Sequence, residues 1–115
     1  MGFEYTYRAG GLTTEGLIGV YWFGNRIGFT EEIDRALPGV GIVYSQAKEQ
    51  YFRSEAVSAG ATVVFGSFVY GVEKAGDRIV ALKVMLADGA PALVPVKSVV
   101  DATGNCDIAV AAGEE

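Results

Sequence analysis

With 115 residues the chain has room for one domain with a modest core. Hydrophobic residues make up 50%, charged residues 20%, and there are 16 glycines, the balance of a soluble, strand-containing chain rather than a disordered one. A net charge of −5 and a pI near 4.7 argue against nucleic acid, which needs a basic face, and no stretch offers the ~20 apolar residues of a membrane span.

The chain opens on Phe3-Glu4-Tyr5, a bulky apolar residue and an acid with no run-up. MGFEYTYRAGG has no basic segment followed by an apolar one, so no signal peptide is expected there. Gly10, Gly11, Gly16 and Gly19 then fall within ten positions, around Leu12-Thr13-Thr14-Glu15. Such a backbone is either a mobile arm or a loop pressed against something. Val20 to Phe29, VYWFGNRIGF, is the most aromatic stretch and reads as core first, ligand wall second. Arg26 is the one cation there. It reads as a surface or stacking arginine, with an anionic substrate or a cofactor phosphate as the alternative partner.

Thr30 is placed to cap a short helix, with Glu31 and Glu32 in its first turn and Ile33, Ala36 and Leu37 on its apolar side. The two glutamates read as dipole complements on a wet face, not as an acid/base pair. Pro38-Gly39 ends this helix. Gln46 to Ala59 is the strongest helical stretch: Ala47, Tyr51, Phe52, Ala56 and Val57 make the apolar stripe, Lys48, Glu49, Arg53 and Glu55 the wet side, and Gly60 the stop.

From Ala61 the period changes to two. Thr62 to Phe65, Phe68 to Glu73 and Arg78 to Leu86 read as strands, with Lys74-Ala75-Gly76-Asp77 turning between the last two. Ala87-Asp88-Gly89-Ala90 turns into a further strand, Leu93 to Val96. Val69, Ile79, Leu82, Val84 and Leu86 suit one face of a meander. Ser98-Val99-Val100 reads as a short strand buried on both faces, left through the small residues Asp101-Ala102-Thr103-Gly104. Asn105 and Asp107 are placed to cap the helix that starts at Ile108, and Gly113 to close it. A strand that runs through small residues into a helix N-terminus is where α/β proteins hold phosphate-bearing ligands, although many such turns bind nothing.

The chain has no histidine, which removes the commonest general base, the usual zinc ligand and every Ser-His or Cys-His pair. Its one cysteine, Cys106, excludes an internal disulfide, suits a reducing cytoplasm and reads as a structural thiol. Any chemistry must come from a cofactor or from carboxylates. No GxGxxG fingerprint occurs: Gly39-Val40-Gly41 is followed by Tyr44 where the third glycine belongs.

Three stretches, FEYTYRAGGLTTEGLIG, YWFGN with GFTEEID, and DATGNCDIAVAAG, resemble in order the FAD-dependent oxidoreductases with the glutathione-reductase-like FAD-binding fold. The resemblance implies that Ala102, Thr103 and Gly104 pass beside the AMP and pyrophosphate half of FAD. It implies that Glu4 ends the second Rossmann strand and binds the adenosine ribose hydroxyls. Gly10, Gly11, Thr13 and Thr14 would form the cofactor-side loop, and the backbone of Val69 would face the adenine edge. The fingerprint of this fold should lie about 20 residues before the acid, whereas only Met1 to Phe3 precede Glu4. The chain is therefore expected to be an internal piece of a larger flavoprotein, excised or produced by a truncated reading frame, without the primary pyrophosphate site.

The fold expected is α+β: an antiparallel meander packed with one main helix, a portion of an FAD/NAD(P)-binding Rossmann-like domain, with Ser98 to Asp101 returning beside Thr62 to Phe65. Residues 1–115 form a single partial domain, 1–43 carrying the glycine and aromatic loops with the short helix and 44–115 the rest. The parent is expected to be an oxidoreductase passing hydride or electrons between a small-molecule redox substrate and FAD, in the cytoplasm, with no nucleic acid, membrane or metal involved. The isolated chain should hold FAD weakly or not at all, be inactive, and self-associate through the Ser98–Asp101 region or the N-terminal arm. The alternative is a small non-catalytic α+β module that binds no cofactor and acts by self-association. Substrate, electron acceptor and catalytic residues are not identified by the sequence.

Overall fold

A computed structural model of the chain describes residues 1–19, 24–37 and 42–114. It divides into two compact units, Met1–Phe65 and Gly66–Glu115. The boundary read at 43/44 falls inside a helix. The aromatic residues Tyr21, Trp22 and Phe23 and the Pro38-Gly39 stop lie outside the described residues.

The first unit is a strand–helix–strand unit. Strands β1 (Gly2–Glu4) and β2 (Val63–Phe65) pair in parallel, with Gly2 opposite Val63, Phe3 opposite Val64 and Glu4 opposite Phe65. Parallel strands need a long crossover, and helices α1 (Phe29–Ala36) and α2 (Ile42–Ser58) lie on it. Gly28, with φ 61°, is the N-cap of α1, and its carbonyl accepts the Glu32 N–H; Thr30, expected as the cap, is already in the first turn. Ile33 is buried, and Arg35 in the last turn pairs back to Glu31.

Helix α2 starts four residues before the expected Gln46 and buries Tyr44 and Ser45 in its first turns. Val57, expected in the apolar stripe, is 74% exposed, because it lies a hundred degrees round the helix from half-buried Ala56. Lys48, expected on the wet side, is half-buried with its ammonium 5.6 Å from the Tyr44 ring centroid and 5.9 Å from that of Phe52. Its long apolar stem allows this. Gly60 ends the helix as expected: it takes φ 69°, and Ala61 N–H donates to the Ala56 carbonyl at 2.8 Å.

The second unit holds the meander. Strands β3 (Phe68–Ala75), β4 (Arg78–Met85) and β5 (Pro91–Pro95) are antiparallel in the order β3-β4-β5. Gly76-Asp77 makes a two-residue hairpin turn with Gly76 at φ 61°, the positive angle such turns require. The Asp88 turn joins β4 to β5, with Leu86 N–H donating to the Ala90 carbonyl. Helix α3 (Asp107–Ala112) packs on β3, and Ala81, Leu82, Val84, Ile108 and Ala112 form the buried core of the unit. Within this unit α3 is the helix that packs on the sheet; the long helix α2 belongs to the first unit. Lys74 fastens it, donating to the Ala112 carbonyl at 2.6 Å.

The pairs Leu86–Ala90 and Val80–Val96 both carry main-chain bonds, so the alternating antiparallel pattern turns Ala92 and Val94 toward β4. Pro91, Leu93 and Pro95 then face outward, and the two prolines have no N–H to offer. The β3–β4 ladder carries two bulges, one on β3 at Tyr70, between Val69 and Gly71, and one on β4 at Val80, opposite Glu73-Lys74.

Residues 98–101 form no strand, Val100 is 91% exposed, and the partner of β2 is β1. A β-branched triplet becomes a strand only where a ladder partner meets it, and β2 takes its partner from the start of the chain. The mixture of helix and sheet is as expected. The antiparallel sheet is there; the Ser98–Asp101 strand is not.

Candidate functional site

The nine residues singled out in the sequence divide between the units: Glu4, Gly10, Gly11, Thr13 and Thr14 belong to the first, Val69, Ala102, Thr103 and Gly104 to the second.

In the first unit, Glu4 is the last residue of β1 and stands at the carboxyl end of a parallel strand, the end at which open α/β sheets receive ligands. Its Oε1 accepts both the Thr6 N–H and the Thr6 hydroxyl at 2.9 Å, while Oε2 has no partner among the described residues. Among the described residues Glu4 thus keeps one carboxylate oxygen without a partner.

The glycine loop follows at once. Gly10 has φ 104°, and a Cβ on it would come within 2.6 Å of the Phe52 ring and 2.7 Å of the Thr14 methyl. The segment is therefore a loop pressed against α2, not a free arm. Thr14 is 1% exposed, and its hydroxyl donates to the Ala9 carbonyl at 2.7 Å; the Thr13 hydroxyl donates to Gly10 at 3.2 Å. Both threonines close the loop on itself, together with main-chain bonds from Gly16 to Gly11 and from Ile18 to Leu12. Gly11, at φ 54°, has open space where a Cβ would stand. Arg8 pairs with Glu15 across the loop at 3.3 Å.

Arg53 of α2 holds the other side of this stretch. Its guanidinium donates to the Tyr7 carbonyl at 2.6 Å, lies 4.0 Å from the centroid of the Phe65 ring and pairs with Glu49. Arg26 is also engaged: Nε and Nη2 both donate to the Asp34 carboxylate at 2.7 Å. That fork holds the Asp34 carboxyl below the usual carboxylate range, and the Tyr44 hydroxyl adds to the effect. Burial pushes the Tyr44 phenol up.

In the second unit, Val69 is half-buried opposite Val84. Ala102, Thr103 and Gly104 are exposed, with Gly104 at φ 80°. The donors that the sequence left unpaired at the start of α3 are taken. Asp101 Oδ2 accepts the N–H of Ile108 at 2.9 Å and of Ala109 at 3.0 Å, Oδ1 accepts that of Thr103, and the Thr103 hydroxyl accepts that of Asp107. Asp101 and Thr103 thus cap α3 from upstream, where Asn105 and Asp107 were expected to; the N-cap position itself is Cys106, in a left-handed conformation at φ 59°. The Thr103 N–H first, and the α3 donors after it, hold the Asp101 carboxyl below its ordinary value.

These residues fit the two halves of a dinucleotide differently. The open oxygen of Glu4 and the positive-φ backbone at Gly10-Gly11 fit a ribose diol followed by a close-passing chain. The start of α3 does not fit a phosphate, since its free donors already hold a carboxylate. Sequence reasoning missed Thr6, Arg53, Asp34 and Tyr44. Glu4-x-Thr6 and Asp101-x-Thr103 share an acid-x-Thr spacing that invites local side-chain-to-backbone bonds, whereas Arg53 gives no such signal. Among the described residues no group of three or more acids and cysteines is placed to hold a metal ion, and no helix is long and apolar enough to cross a membrane.

Neither the curated proteins nor the solved structures gave a significant match to the chain. A family model does: that of the FAD dependent oxidoreductases matches residues 6–115. The glycine loop, the meander and the DATG turn all fall inside that match, and the chain belongs to the FAD-dependent oxidoreductase family.

Proposed function

We propose that the first unit supplies the ribose-binding part of the FAD site in an FAD-dependent oxidoreductase that transfers hydride or electrons to or from a small-molecule substrate. The observation that carries this reading is the position of Glu4 at the carboxyl end of parallel β1, with one oxygen open and the Gly10–Thr14 loop directly after it. Glu4 accepts the ribose hydroxyls, and the main chain at Gly10 and Gly11 lets the cofactor pass closely. Thr13 and Thr14 hold that loop in shape. Ala102, Thr103 and Gly104 present an exposed turn of small residues, and Val69 its backbone on β3. The isoalloxazine of FAD supplies the redox chemistry when bound; this stretch of protein supplies position.

No GxGxxG occurs in these residues, and the start of α3 is occupied by Asp101. Most of the fixed donors for the pyrophosphate therefore come from elsewhere in the flavoprotein, and the chain alone holds FAD weakly. Titration of the chain with FAD, followed by flavin fluorescence, tests this. Affinity weaker than about 1 μM is expected, and sub-micromolar binding would refute it. The lone Cys106 and the absence of disulfides support a reducing, cytoplasmic setting.

A second reading is a module that self-associates without cofactor. It is favoured by the two-stranded parallel sheet, which is too small to stand alone, and by exposed Val100.

A further inference from the structure

The turn after Glu4 is held at two points. At one, Thr6 gives both its N–H and its hydroxyl to Glu4 Oε1 at 2.9 Å. At the other, the Tyr7 carbonyl accepts from Arg53 Nη2 at 2.6 Å. Arg53 is 46 residues further along the chain, on helix α2 of the crossover. The carbon of the same guanidinium sits 4.0 Å from the Phe65 ring centroid, and Phe65 is the residue directly opposite Glu4 in the β1–β2 register. Its remaining edge is fixed by Glu49 one turn back on α2. One side chain therefore ties the neighbour strand of Glu4, the turn that orients its carboxylate, and the helix that supports the glycine loop through Phe52.

From this geometry we infer that Arg53 is the positioning residue for Glu4. The inference rests on the reading of Glu4 as the acceptor for the ribose hydroxyls. Arg53 touches no ligand itself; it sets where Glu4 Oε2 points by fixing the turn at Tyr7 and the strand at Phe65. Both contacts need a planar fork. A lysine at this position keeps the charge and the pairing with Glu49 but cannot donate sideways to Tyr7 while its head covers the Phe65 ring.

The test compares ADP with 2′,3′-dideoxy-ADP, which differ only in the ribose hydroxyls, by amide NMR titration of the full chain. Wild type is expected to prefer ADP by about tenfold, the scale of a charged acceptor meeting a hydroxyl. Glu4→Gln should reduce that preference to within about twofold. Arg53→Lys and Arg53→Met should do the same while affinity for dideoxy-ADP stays at the wild-type level. That pattern separates positioning from general destabilisation, which would weaken both ligands alike. If Glu4→Gln removes the preference and both Arg53 variants retain it, the positioning role is wrong and the ribose reading stands. If both ligands weaken together in the Arg53 variants, Arg53 is structural only and the inference fails. If wild type shows no preference, or Glu4→Gln keeps it, the ribose reading fails and the inference falls with it.

Discussion

Asp101 precedes Ile108 by seven residues, yet its Oδ2 accepts that residue's main-chain N–H at 2.9 Å. The turn between them exists to bring that carboxylate back over the start of α3. A six-residue helix has little intrinsic stability, so its cap matters more than its propensity.

The Asp101 carboxyl is held below its ordinary value, chiefly by the Thr103 N–H, so its contribution to folding has a definite sign. It is fully present above the unfolded carboxylate pKa of about 3.9 and is lost as pH falls through the lower, folded value. Hydrogen exchange at Ile108 and Ala109, corrected for intrinsic rates, should stay protected near neutrality and lose protection only in the acid range below about pH 4. Asp101→Ala should remove that protection at every pH. Unchanged protection in the variant would show that α3 does not depend on this cap.

Gly10 and Gly11 make a matched pair, since both have positive φ but only Gly10 touches its surroundings. Gly11→Ala should destabilise the chain by about 1 kcal/mol, from backbone strain alone. Gly10→Ala adds a clash with Phe52 and Thr14, and should cost about 2–4 kcal/mol. Urea denaturation of both variants checks the difference. Equal losses would mean that the loop does not press on α2.

Val84 is fully buried in the meander. Val84→Ala should cost about 2–3 kcal/mol in the second unit, from lost burial and the cavity left behind. Because the units are separately compact, protection of the amides in α2 should change less than protection in β4. Equal losses in both units would show that they unfold as one.

Val100 is 91% exposed at the end of an apolar run, and we propose that the isolated chain self-associates through the Ser98–Asp101 region or the N-terminal arm. Sedimentation velocity should show a dimer or larger species, and Val100→Lys should shift it to monomer without changing the far-UV circular dichroism. A wild-type monomer at high concentration would exclude this surface as the contact.

Local chemistry was readable in the sequence where neighbours decide it. Gly60 and Gly113 stop their helices and Gly76 turns its hairpin because few other residues take those angles. The meander followed from the change to a two-residue period after Ala61. Partner choice was not readable: Val99-Val100 has the composition of a buried strand, but nothing in the triplet says that β2 pairs with Gly2–Glu4 instead. The candidate site divides the same way. Glu4 and the Gly10–Thr14 loop were visible as a motif, whereas the grip of Arg53 on Tyr7 spans 46 residues and appears only once α2 is laid against β2. At the start of α3, Asp107 and Asn105 were the nearer capping candidates, and the carboxylate that wins comes from further upstream because the small residues after it allow the chain to fold back.

The prolines on β5 decide where this chain is vulnerable once it begins to unfold. A cross-β stack seeded on that strand would meet a missing rung at Pro91 and again at Pro95, with only Leu93 between them able to donate. The bulge at Tyr70 gives β3, the opposite margin of the meander, an uneven spacing that a regular fibril cannot copy. Val63-Val64-Phe65 has neither safeguard: it is short, β-branched, uncharged and free of proline. Misassembly of a destabilised chain should therefore start in the parallel pair, and a gatekeeping charge belongs there rather than in the larger sheet.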